Sequence, residues 1–140
     1  PDLIILATGY RWQIPYVDRA LLEDHQGRLS FRLGVFSRRS PRLYGLGFIE
    51  TNSSAYKLFD EMADMIAHAI AARMSGGDAA AQLDKVLAQP EADLNGGLHL
   101  VNSARHQGYI EVTAFRRAMK RFRKAAGWSA FSDTKRKAAA

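Results

Sequence analysis

Residues 3–7, Leu-Ile-Ile-Leu-Ala, are apolar at every position and lead from Asp2 into Thr8-Gly9-Tyr10. A strand with one wet face alternates apolar and polar residues. An unbroken apolar run of strand length implies burial on both faces, the habit of a parallel sheet covered by helices. The expected fold class is therefore α/β. Open α/β sheets hold their ligands beyond the carboxyl ends of their strands, which makes Thr8 and Gly9 candidate ligand neighbours. The chain begins with Pro1, and its first element reads as an interior strand. The expectation is a piece of a longer polypeptide, cut just before that strand.

At 140 residues and 47% apolar content, the chain has material for one core, or for parts of two domains. Cysteine is absent, which excludes disulfides, thiolate metal sites and cysteine nucleophiles and agrees with a reducing, cytoplasmic location. No apolar run approaches the roughly 20 residues that cross a bilayer, so no transmembrane segment is expected. The net charge of +6 is unevenly spread. From Arg105 onward ten cations face two acids, a net +8, which leaves −2 for residues 1–104. The basic character belongs to the C-terminal part.

Residues 18–24 suit two helical turns, with Gly27 as a stop. Leu29, Phe31 and Leu33 alternate with Ser30 and Arg32, the pattern of a half-buried strand. Residues 43–49 read as a second buried strand containing Gly45 and Gly47, and residues 50–54 as the turn after it. Thr51, Asn52 and Ser53 there suit the free amides of a helix start. A helix is predicted over 55–74, because Leu58, Phe59, Met62, Met65, Ile66, Ala69 and Ile70 recur at spacings of one, three and four. Ser75-Gly76-Gly77 ends it. A short alanine-rich helix over 79–89 stops at Pro90, residues 95–97 form a loop, and Tyr109-Ile110 looks extended. Thr113 is the expected cap of a last helix over 114–126, with Phe115, Ala118, Met119 and Phe122 as its apolar stripe and Gly127 as its stop.

Gly45-Leu46-Gly47-Phe48-Ile49-Glu50 opens like a dinucleotide fingerprint but carries glutamate where the third glycine belongs, so it fails as a phosphate loop. Its glycines suit either tight packing or the approach of a flat ligand. The four histidines, His25, His68, His99 and His106, show no metal-ligand spacing, and no metal is expected. Arg116, Arg117, Lys120, Arg121, Arg123 and Lys124 crowd the last helix. Spread around much of the cylinder, they read as a solvated face, with a basic nucleic-acid or anionic-surface module as the alternative and no nucleic-acid partner expected.

Three segments together resemble the C-terminal part of a class B flavin-dependent monooxygenase. The family comprises flavin-containing monooxygenases, Baeyer–Villiger monooxygenases and N-hydroxylases. The apolar strand with Ala7-Thr8-Gly9-Tyr10 resembles the family's A-T-G-Y sequence. Leu43-Tyr44-Gly45-Leu46-Gly47-Phe48-Ile49-Glu50-Thr51-Asn52, with the helix after it, resembles the strand, turn and helix that return to the flavin. The region from Ser103 to Trp128 is similar to the closing region of bacterial members.

The resemblance implies the C-terminal part of a flavoprotein with two Rossmann-like dinucleotide-binding domains. Residues 1–10 would close the NADPH domain, 11–77 would complete the FAD domain, 78–131 would form a helical extension and 132–140 a basic tail. It implies FAD and NADPH as cofactors, with molecular oxygen and a small organic substrate as partners. The reaction would be oxygenation through a flavin C4a-(hydro)peroxide, on an enzyme that orients both cofactors and excludes water. Thr8, Gly9, Gly47, Thr51, Asn52 and Ser53 are implied flavin neighbours, and no catalytic residue is assigned. Both glycine-rich phosphate loops would lie upstream, so the piece alone is expected to be inactive. A disulfide-reductase-like FAD/NAD(P) oxidoreductase is the alternative within flavoenzymes, weakened by the lack of cysteine.

Overall fold

The computed structural model describes residues 3–4, 14–98 and 109–131. The described chain mixes helices with two small sheets. Its elements run α1 (Arg19–Leu22), β1 (Phe31–Arg32), β2 (Phe36–Ser37), β3 (Glu50–Thr51), α2 (Tyr56–Ser75), α3 (Gly77–Leu87), β4 (Tyr109–Ile110) and α4 (Val112–Ala125). β1 and β2 form an antiparallel hairpin, with Phe31 opposite Ser37 and Arg32 opposite Phe36. β3 and β4 pair in parallel, with Glu50 opposite Tyr109 and Thr51 opposite Ile110. A parallel pair needs a crossover, and α2 and α3 lie within it.

The helical expectations hold best. α2 buries Leu58, Met62, Met65, Ala69 and Ala72, at alternating spacings of four and three, because that row returns to one side of a 3.6-residue helix. Gly76 ends it at φ 65° and donates its N–H to the Ala72 carbonyl, and α3 starts at the next residue. α4 buries the expected Phe115, Ala118, Met119 and Phe122 together with Ala114 and Arg123. At its end, the Gly127 N–H reaches the Lys124 carbonyl and the Trp128 N–H reaches that of Arg123, with Gly127 at φ 71°. This paired arrangement closes a helix through a left-handed residue.

The strand expectations fare less well. The described part of the first run, Leu3 and Ile4, is 75% and 72% exposed, with no described residue covering it. Residues 43–49 are not a buried strand. Tyr44 makes a single bridge to Phe36, Leu46 is exposed, and Gly47 turns at φ 90°. The apolar residues of this run are each claimed separately: the Phe48 ring stacks on Phe31 at 5.7 Å, and Ile49 lies against Gly34. The alternating segment 29–33 is cut short at a tight turn. The Val35 N–H closes on the Arg32 carbonyl (3.0 Å), and both central residues, Leu33 and Gly34, have positive φ, 51° and 62°. A leucine there costs roughly 1–2 kcal/mol. Burying its side chain, which is 3% exposed, offsets that by a similar amount, about 1.5–3 kcal/mol. The two expected turns over 18–24 shrink to the one-turn α1, capped by the Asp18 carboxylate on the Ala20 N–H.

One core joins the hairpin (Leu33, Val35, Phe36), α2, α3 (Leu83, Val86) and α4. An aromatic row crosses it. Tyr44 meets Phe36 edge-on, Phe36 stacks on Phe122 at 4.9 Å, Phe122 touches Trp128, and Trp128 stacks on His68. Arg32 closes the far end of α3, its guanidinium donating to the carbonyls of Leu87, Gln89 and Pro90. No helix among the described residues is long and apolar enough to cross a membrane.

Candidate functional site

Of the six residues implied as flavin neighbours, Thr8 and Gly9 lie outside the described residues. Gly47, Thr51, Asn52 and Ser53 fall on the segment that runs over the start of α2 into β3 and the turn beyond. Gly47 and Ser53 are exposed. A Cβ on Gly47 would meet nothing nearer than Phe59 Cζ at 4.0 Å, so this glycine is required by its φ of 90° and not by close approach. Of the two glycines in this run, the crowded one is Gly45. It is buried, and a Cβ there would lie 2.9 Å from Phe48 and 3.0 Å from Phe31. The space expected for a flat ligand at Gly45 is filled by the chain's own aromatic pair.

Asn52 does not cap the helix that follows it. The residue at the capping position before α2 is Ala55, which makes no side-chain cap. Asn52 Oδ1 instead accepts from the Val112 N–H at 3.1 Å, across a sequence gap of 60 residues. The two oxygens of Glu111 accept from the Thr113 and Ala114 N–H groups at 2.9 and 2.7 Å. Three orphan amides at the start of α4 are thus satisfied by two side chains. Those hydrogen bonds hold the Glu111 carboxyl below its ordinary range. The expected cap, Thr113, is itself the recipient, because Glu111 sits at the position from which a carboxylate spans both amides. Thr51 Oγ1 reaches Asn52 Oδ1 at a long 3.5 Å. The parallel β3–β4 pair lies immediately before these contacts, so the turn over 50–54 and the start of α4 form one junction.

A second polar cluster ties α4 to α2. Arg123 is 5% exposed, and its guanidinium donates to Asp64 Oδ2 (2.5 Å), the Glu61 carbonyl (3.3 Å) and the Ser129 carbonyl (3.1 Å). Asp64 also faces His68 Nε2 at 3.6 Å. His68 is half-buried and stacks against Trp128. Both terminal nitrogens of Arg123 bond other parts of the chain, which is how a buried cation is retained at all.

Among the described residues, a small cleft lies between the hairpin and the α2–α3 corner, lined by Phe36, Ser40, Leu43, Tyr44, Arg73 and Leu83. It has about 10 Å³ of space for a water centre, room for one water and far too little for a flavin ring. Arg73 grips Asp84 with both terminal nitrogens, at 3.0 and 2.5 Å, and its buried Nε has no protein partner. The ion pair holds the Asp84 carboxyl below its usual range. Among the described residues, no group of three or more histidine, aspartate or glutamate side chains stands close enough together to hold a metal.

The arrangement therefore presents two exposed residues, Gly47 and Ser53, a capped helix start and a one-water cleft. The sequence missed Glu111 and Arg123 as organising residues. Their signals were local, an acid two positions before Thr113 and a cation in register with the apolar stripe of α4, but their partners lie far away in sequence. No family model, curated relative or solved structure matches this chain.

Proposed function

We propose that this chain is the C-terminal portion of an FAD- and NADPH-dependent monooxygenase that oxygenates a small organic substrate, located in the cytoplasm and inactive as a piece. The observation that carries the reading is the conjunction of Ala7-Thr8-Gly9-Tyr10 behind an apolar run with Gly45-Leu46-Gly47-Phe48-Ile49-Glu50-Thr51-Asn52 ahead of an amphipathic helix. Either motif alone is common, and the pair in this order is far less so. Two features of the fold support it. The mixed helix and strand content agrees with an α/β parent, and the exposed Leu3 and Ile4 are apolar surface that a larger sheet would cover.

The residues present fit one side of a flavin only in part. Gly47 is exposed with open space above it where a flat ring can lie, and the exposed Ser53 can donate a hydrogen bond. Asn52 is a poorer neighbour, since its carbonyl oxygen is committed to Val112, although its amide NH₂ remains able to donate. Bound flavin would supply hydride acceptance from NADPH and the activation of oxygen. The chain's own part in that reading is to hold this segment rigid through the β3–β4 pair and the capped start of α4.

Flavin fluorescence tests this. The chain alone should leave the fluorescence of added FAD unquenched, and the same chain joined to its upstream coding region should purify yellow. Flavin bound stoichiometrically by the chain alone, or none bound by the joined polypeptide, would overturn the reading.

A further inference from the structure

The six cations on α4 do different work. Arg123 points into the core, and Arg116 pairs with Glu61 on α2 at 3.1 Å. The other four, Arg117, Lys120, Arg121 and Lys124, are all exposed. They follow one another at helix positions i, i+3, i+4 and i+7, which places them on one face. What the sequence spreads around the cylinder, the fold sorts into a single strip. Among the described residues, Lys120, Arg121 and Lys124 have no ion-pair partner, and Arg117 makes only a 3.4 Å contact to the Thr113 carbonyl of its own helix. No acid interrupts α4 from Val112 to Ala125. The acids packed nearest are occupied elsewhere: Glu61 with Arg116, Asp64 with Arg123, and Glu111 with the helix amides.

Such a strip opposes its own folding. Like charges three and four residues apart repel, and only those in the last turn gain from the helix dipole. Nothing in the described fold compensates. From Arg117 to Lys124 the helix rises about 10 Å, which is about three phosphate-to-phosphate steps of one DNA strand and so spans about four phosphates. A membrane surface fits less well. Helices that lie on lipid bury an apolar face in it, whereas the apolar face of α4 is already in the core and no large apolar side chain on α4 is exposed.

We propose that the exposed strip Arg117, Lys120, Arg121 and Lys124 binds the phosphate backbone of nucleic acid without reading its sequence. The strip has charges at phosphate spacing and no residue aimed at base edges, so the contacts position a strand and specify nothing. The inference stands apart from the flavin reading, and neither test bears on the other.

The experiment uses the full 140-residue chain with Lys135, Arg136 and Lys137 changed to Gln, so that the tail contributes no positive charge. Fluorescence anisotropy of a labelled 20-base-pair DNA duplex is read against added NaCl. Four phosphate contacts predict a log–log salt slope of about −3 to −4. Changing Arg117, Lys120, Arg121 and Lys124 to Gln should lower affinity at least tenfold at low salt and flatten the slope. Arg39→Gln/Arg42→Gln/Lys85→Gln, which removes exposed charge carried by other elements than α4, should change affinity less than twofold. The four-site variant should melt no lower than its parent, since repulsion is relieved. If it does melt lower, Lys120→Glu alone must still weaken binding. Equal loss in the remote triple variant, a slope near zero, or tighter binding to vesicles containing phosphatidylserine than to the duplex would each overturn the proposal.

Discussion

Gly34→Ala should be among the most damaging single-methyl changes in this chain, and its cost divides into two measurable parts. Gly34 sits at φ 62°, next to a leucine that already has positive φ, so the hairpin turn has no easy relaxation. An alanine there carries the left-handed penalty of about 1–2 kcal/mol. Its Cβ would also lie 2.5 Å from Ile49 Cγ2, with Met62 Cε at 3.7 Å behind it. Met62 is fully buried, so the isoleucine has little space to retreat into. Overpacking of this kind costs roughly 1–3 kcal/mol. The sum is about 2–5 kcal/mol, a fall in melting temperature on the order of 10 °C for a domain of this size. Urea unfolding followed by circular dichroism at 222 nm gives the free energy directly. Repeating the substitution in an Ile49→Ala background removes the clash and leaves the backbone penalty, so the two changes should couple by about 1–3 kcal/mol. A Gly34→Ala variant within about 0.5 kcal/mol of the parent, or a coupling of zero, would refute the reasoning.

Other substitutions separate the remaining contributions. Gly127→Ala places a Cβ in open space at φ 71°, so it should cost only the backbone part, about 1–2 kcal/mol, and show no coupling to any neighbour. A larger loss by urea unfolding would count against the helix-closing role given to Gly127. Asp64→Asn should destabilise more than Arg123→Met, because it strands a guanidinium that is 5% exposed whereas the methionine removes it. Asp64 is 40% exposed, which limits the Asp64→Asn loss to about 1–3 kcal/mol. The reverse order of melting temperatures would contradict the buried-cation account. Asp24 is held at about 2 by the backbone N–H of Arg28 with help from Gln26 and the Arg28 side chain, and Glu111 is held below its ordinary 4.5 by the amides of Thr113 and Ala114. Both acids therefore bind protons more readily in the unfolded chain. Their contribution is complete above the unfolded values and is lost as the pH falls through the lower folded ones. Melting temperature should decline below pH 4.5, and Glu111→Gln should decline less steeply. Identical slopes would remove Glu111 from the account.

Features carried by neighbours in sequence were readable, and those carried by distant partners were not. The stripe of α2 and the glycine stops at Gly76 and Gly127 depend on spacings of three and four and on one left-handed residue, all local. Ile70 shows the limit of that reading. It belongs to the stripe by spacing yet is 42% exposed, because the covering elements bury Ala69 and Ala72 instead. Residues 43–49 had the composition of a buried strand. Phe31, Gly34 and the hairpin turn decide where Phe48 and Ile49 go, and no periodicity encodes that. The bond from Asn52 to Val112 is the sharpest case: a cap was expected from Asn52, and one was found on a helix 60 residues away. Of the candidate site, Gly47 was picked for closeness and is needed for its backbone angle, while Thr8 and Gly9 lie outside the described residues.

The claim that this chain completes a flavin- and NADPH-dependent oxygenase meets its most direct test in an oxygen electrode. The polypeptide that includes the upstream coding region should consume oxygen only when NADPH is added, and at one oxygen per NADPH when a substrate is oxygenated. A folded, full-length product that neither oxidises NADPH nor takes up oxygen would contradict the account.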